Sequence, residues 1–105
     1  MAFTQAGLKE IRKDYIESIA KINLVNAENH VLCSIAKESF QVQNNDSNDV
    51  ITAVATGDNV GKGNTVTGYT CVDASEQILY QATFENPSTC VTELDTFTVN
   101  VTVGN

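Results

Sequence analysis

Near the start of the chain, Leu8, Ile11 and Tyr15, with Ile16 beside them, recur at three- and four-residue intervals, the spacing of one apolar helix face. Thr4 stands where an N-cap belongs, so a helix is expected from Gln5 to about Glu17. Lys9, Glu10, Arg12, Lys13, Asp14 and Glu17 fill the rest of its circumference. Lys9 with Lys13 and Glu10 with Asp14 are like-charged four residues apart and give the helix no support. A helix this short is marginal alone. Leu8, Ile11 and Tyr15 are therefore the candidate interface residues, docking it on the chain's own sheet or on a neighbouring subunit.

After Ser18 the period shortens to two. Ala20, Ile22 and Leu24 alternate with Ile19, Lys21 and Asn23, the segment Asn26-Ala27-Glu28-Asn29 reads as a turn, and Val31, Cys33 and Ile35 alternate again. Residues 19–36 thus predict a β-hairpin. Phe40 and Val42 mark a short strand or a crossing segment. The polar run 43–49, Gln-Asn-Asn-Asp-Ser-Asn-Asp, predicts an exposed loop. Val50 to Ala55 suits a central strand, and Gly57 to Asn64 a mobile glycine-rich connection. A strand over 65–72, a turn over 73–76 and a returning strand over 77–84 follow, with Pro87 expected to end the pairing. The last strand has the plainest pattern: Phe97, Val99, Val101 and Val103 on one side, Thr96, Thr98, Asn100 and Thr102 on the other.

Polar turns between strands, with no alternation of helices and strands, predict a mainly β fold: an antiparallel β-sandwich or barrel of about six strands with one N-terminal amphipathic helix. At 105 residues the chain suits a single domain.

Candidate chemistry is sparse. Gly57 to Lys62 has three residues, not four, before its Gly-Lys pair, Gly63 stands where a phosphate loop needs Ser or Thr, and a strand follows in place of a helix N-terminus. His30, the one histidine, borders a turn, and Cys33 belongs to an apolar strand face, where cysteine acts as a small hydrophobe. Asp46, Asp49 and Asp58 match no calcium-loop spacing. Tyr69, Tyr80, Phe84 and Phe97 sit at alternating strand positions and are expected in the core. No catalytic, cofactor-binding or metal residue is assigned, and no enzymatic activity or cofactor is expected.

Thirteen Asp and Glu against six Lys and Arg give a net charge of -7, which repels polyphosphates and anionic lipid. Neither nucleic acid nor membrane is expected as a partner. No apolar run is long enough to span a bilayer, and the opening residues lack the features of a signal peptide. Cytoplasmic synthesis is expected, with Cys33, Cys71 and Cys90 as reduced thiols.

The opening Thr4-Gln5-Ala6-Gly7-Leu8-Lys9-Glu10-Ile11 resembles the T-x-x-G-L-x-x-I start of small tailed-bacteriophage virion proteins. Val54-Ala55-Thr56-Gly57-Asp58 and the Thr96 to Val103 strand are similar to the glycine turn and β-rich C-terminal half of such proteins. The resemblance implies a virion structural protein made in the host cytoplasm: a capsid decoration or head fibre attachment component first, a tail or neck component second. It also implies assembly as a homo-oligomer or in repeated copies with other virion proteins, the major capsid protein among them. The rival reading is an adhesive or ligand-binding β-module that uses the 43–49 and 57–64 loops.

Overall fold

The computed structural model describes residues 3–104. Helix α1 (Gln5–Ser18) begins as expected: the Thr4 side chain accepts the Gly7 N–H at 3.0 Å, and the Thr4 carbonyl accepts the Leu8 N–H at 2.9 Å. It ends where the Ile19 N–H bonds back to the Ile16 carbonyl and the chain turns extended, with Ile19 wholly buried. No acid stands in its first turn and no base in its last, so nothing offsets the helix dipole. Its hold on the structure comes from docking.

Seven strands follow among the described residues: β1 (Lys21–Val25), β2 (Val31–Ala36), β3 (Gln41–Asn44), β4 (Asn48–Thr56), β5 (Thr65–Val72), β6 (Ile78–Thr89) and β7 (Thr96–Gly104). They form two sheets, ordered β2-β1-β5-β6 and β3-β4-β7, with every neighbouring pair antiparallel. The sheets do not close into a barrel; the fold is a sandwich. A 3-10 turn (Lys37–Ser39) leads from the first sheet to the second, and a one-turn helix α2 (Gly57–Val60) leads back. Ile22, Leu24, Ile35 and Cys71 from one sheet meet Ile51, Ala53, Val99 and Val101 from the other in one core.

The last strand is as its pattern predicts. Phe97, Val99 and Val101 are buried, Val103 is half-buried, and the threonines between them are exposed. β1 hides its alternation, because it has strands on both sides and Asn23 is as buried as its apolar neighbours. Asn23 is satisfied by accepting the Ser34 hydroxyl at 2.6 Å.

The two hairpin turns of the first sheet are built alike. Asn26 Oδ1 accepts the N–H groups of Glu28 and His30, and Asp73 Oδ1 those of Ser75 and Gln77. In each, the fourth residue takes a positive φ, 63° at Asn29 and 66° at Glu76. A short carboxyl or amide side chain folding onto the amides ahead of it is what makes Asx residues turn formers.

Three expectations need correction. Residues 43–49 are not a loop: β3 and β4 run into a tight turn with Asp46 and Ser47 at its tip, and Asp49 is buried. Burial of that carboxylate is possible because Arg12 reaches it from α1. Gly57 to Asn64 is no free connection, since Gly57 and Val60 are buried in α2 and the Gly63 N–H donates to the Cys90 carbonyl at 2.8 Å. Pro87 does not end β6. Gly68 pairs with Thr83 and Val66 with Ser88, so residues 84–87 bulge out opposite Thr67 alone. On an edge strand, within a bulge, the absent proline N–H breaks no ladder bond.

Candidate functional site

Helix α1 lies against both sheets at one end of the sandwich. Tyr15 donates its hydroxyl to the Leu79 carbonyl of β6 at 3.1 Å, while Arg12 turns to the β3–β4 hairpin, donating to the Asn45 and Asp46 carbonyls at 3.1 and 3.3 Å. Lys9 meets Asp46 at 2.9 Å on the surface, and that hydrogen bond draws the Asp46 carboxyl below its ordinary range. The buried residue of the helix is Arg12, which the apolar stripe did not single out. Tyr15 and Ile16 pack on the core, Leu8 is half-buried, and Ile11 remains 46% exposed. Of the three candidate interface residues, Tyr15 is committed to the chain's own sheets, and Ile11 with the open part of Leu8 is left to solvent or a partner.

Sandwich geometry isolates a second surface. On the outer face of β3-β4-β7, Thr52 lies between Gln41 and Asn100, Val50 lies between Gln43 and Thr102, Val54 is beside Thr98, and Thr56 is beside Thr96. Thr52 donates its hydroxyl to Asn100 Oδ1 at 3.0 Å. No Asp, Glu, Lys or Arg stands on this face, although such residues make up 18% of the chain. Sequence reading found the threonine side of β7; the sheet order adds β4 and β3 to it.

A third feature went unread in the sequence. The segment between β6 and β7 folds around Asp95, whose carboxylate accepts the Val91 N–H at 2.7 Å, the Thr92 N–H at 3.1 Å and the Thr92 hydroxyl at 3.1 Å. Those amides hold the Asp95 carboxyl below its usual range. The loop so fixed presents Val91 and Leu94, the latter 90% exposed. Thr92 and Asp95 at a three-residue spacing were its signal, a local side-chain-to-backbone pattern of the Asx and Ser/Thr type.

The residues weighed for chemistry are not brought together. His30 sits exposed with Glu28 at 3.7 Å. Asp46 is at a hairpin tip, Asp49 is buried beside Arg12, and Asp58 is in α2 at the opposite end of β4. Among the described residues no cluster of His, Cys, Asp and Glu could hold a metal ion. Cys33, Cys71 and Cys90 are unpaired thiols. Burial pushes the Cys71 thiol up to about 11, and raises Cys33 and Cys90 as well. A thiol held protonated is a poor nucleophile. Tyr69 packs on Phe84 with ring centroids 5.5 Å apart, whereas Tyr80, on edge strand β6, is 47% exposed. The cleft between α1 and the β3–β4 hairpin, about 500 Å³, sets Lys9 and Lys13 beside Glu10, Glu17 and Asp49 and so has no net pull for an anion.

The 43–49 and 57–64 segments stand at opposite ends of β4, which at about 3.3 Å per residue separates them by about 26 Å. They cannot share one small ligand. No helix among the described residues is long and apolar enough to cross a membrane. No protein-family model, curated protein or solved structure matches the chain.

Proposed function

We propose that this chain is a structural subunit that works by assembly rather than by chemistry, of the tailed-bacteriophage virion kind its opening segment resembles. The observation that carries the reading is the outer face of β3-β4-β7: a broad threonine, asparagine, glutamine and valine surface without one ionisable side chain, on a chain of net charge -7. Interface centres are depleted in charge in this way. A purely solvated sheet face would draw on the abundant acids of the chain; this one does not.

The exposed Ile11 and the fixed loop carrying Val91 and Leu94 add apolar contact points on other sides, as a subunit with several neighbours requires. Within a particle, decoration of the capsid or attachment of a head fibre is the first assignment, with tail or neck second. The major capsid protein is the first partner to test. Synthesis is in the host cytoplasm and the working location is the virion.

Quantitative mass spectrometry of density-purified particles from the source culture tests this. A fixed molar ratio of this chain to a major capsid protein is expected. Absence from intact particles would remove the virion role.

A further inference from the structure

The two sheets end in four edge strands, and three of these are guarded against pairing with another chain. β6 is interrupted by its bulge and carries Glu85 and Pro87. β3 is only four residues long, and β2 has six, with a register irregularity where Val31 meets Val25. β7 has none of these devices: nine residues in unbroken register with β4, with no proline and no ionisable side chain. Long, flat, uncharged edges invite strand addition.

The sequence of β7 says which strand. Thr98-Val99-Asn100-Val101-Thr102 reads the same in both directions about Asn100, and Phe97 and Val103 are the next pair outward. Two antiparallel copies of β7 related by a two-fold axis at Asn100 would set Asn100 against Asn100, Val99 against Val101, Thr98 against Thr102 and Phe97 against Val103 of the other copy. From Phe97 to Val103 every apolar residue then meets an apolar one on the core face and every polar residue a polar one on the outer face. A slip of one residue would set Asn100 against Val101, Val99 against Thr102 and Thr98 against Val103, polar against apolar in each. Val103, the one half-buried residue on the core face of β7, would gain the second copy's Phe97 as its neighbour. Two chains of charge -7 repel, and β7 is an approach that brings no charged side chain of the strand against another.

We propose that a second copy of this chain pairs antiparallel along β7, about a two-fold axis at Asn100, joining the three-stranded sheets of two copies into one continuous sheet. The inference rests on the assembly reading in naming its partner, and it is the isologous form of interface that symmetric dimers use. A nine-residue edge extends only about 30 Å, at the small end of specific interfaces, so the dimer is concentration-dependent.

Sedimentation velocity of the full chain, up to about 1 mM, tests it with Asn100→Lys and Asn100→Asp, each checked for fold by circular dichroism. Asn100 is on the exposed face, and either change sets like charges opposite each other on the axis. The wild type is expected to show a monomer–dimer equilibrium, and each variant a dissociation constant raised at least about tenfold. An equimolar mixture of the two variants is expected to recover a mixed dimer. A wild type that stays monomeric throughout, a dimer indifferent to both changes, or a mixture that fails to recover would each overturn the proposal. A chain that dimerises but is absent from particles loses the virion role alone; one present in particles but monomeric loses the dimer alone.

Discussion

Arg12 Nε lies 3.6 Å from Asp49 Oδ2, with the two side chains 3% and 5% exposed. The guanidinium also serves the Asn45 and Asp46 carbonyls, so this one side chain fastens α1 to the β3–β4 hairpin. A buried charge that loses its partner costs about 3–5 kcal/mol. Asp49→Ala and Arg12→Ala are each expected to lower unfolding free energy by about 3 kcal/mol, measured by urea denaturation. The double variant should lose less than the sum, because each single change leaves the other member's charge buried without its counter-ion. Strict additivity would show that the pair is not coupled.

Gly57 is required by a close approach and not by an unusual backbone angle. A Cβ there would stand 2.0 Å from the Thr92 carbonyl oxygen and 2.9 Å from Cys90 Sγ. The Gly57 N–H also donates to the Asp95 carbonyl at 2.6 Å, so the backbone cannot back away without breaking that bond. Gly63 is the opposite case, with a φ of 86° and open space around it. Gly57→Ala is expected to cost about 3 kcal/mol through overpacking, and Gly63→Ala about 1 kcal/mol through backbone strain. Thermal denaturation of the two variants should rank them in that order; the reverse order would contradict the packing at Gly57.

The helix, the β5 and β7 strands and the first-sheet hairpin were legible because each has a single local cause: a 3.6-residue stripe, a β-branched run, a strict alternation. Most of what escaped depends on partners distant in sequence, the local Thr92–Asp95 loop being the exception. Asp49 reads as a loop acid until Arg12, far away in the chain, is known to face it. Pro87 reads as a stop until β6 is known to be an edge with a bulge. The uncharged outer face was half visible, since the threonine side of β7 is written in its own alternation. Its β4 and β3 members joined it only through the sheet order.

Alkaline pH should destabilise the fold over a defined window. The Cys71 thiol, ordinarily near 9.0, is pushed up to about 11 by burial, and Tyr69, ordinarily near 10.0, up to about 12 by burial first and then by Tyr80 and Cys71. Both are raised in the folded state, so their contribution is fully present below the unfolded values. It is lost as the unfolded chain sheds protons that the folded chain keeps. The slope is at most about 1.4 kcal/mol per pH unit for each titrating group. Stability from urea titrations is expected to fall progressively between pH 9 and about 12, first through Cys71 and then through Tyr69, with no comparable trend from these groups below pH 8. Replacing Cys71 with Val should flatten the first part of that fall. An unchanged slope in that variant would exclude Cys71 as its source.

The twin turns allow a comparison within one molecule. Asn29 and Glu76 hold equivalent positions at φ values of 63° and 66°. Asn tolerates this left-handed region, whereas a longer side chain is strained there. Glu76 also pairs with Lys21 at 2.6 Å, but the two side chains are 65% and 31% exposed, and a pair so placed contributes about 0–1 kcal/mol. Relief of strain should therefore outweigh loss of the ion pair in Glu76→Asn, for a gain of about 0.5–1 kcal/mol and a midpoint raised by a few degrees. The reciprocal Asn29→Glu should lower the midpoint, since it adds strain and also removes the side chain best suited to the turn. Parallel thermal melts of the two variants decide the matter. A fall in both would show that the Lys21 contact, not backbone strain, governs the turn at Glu76.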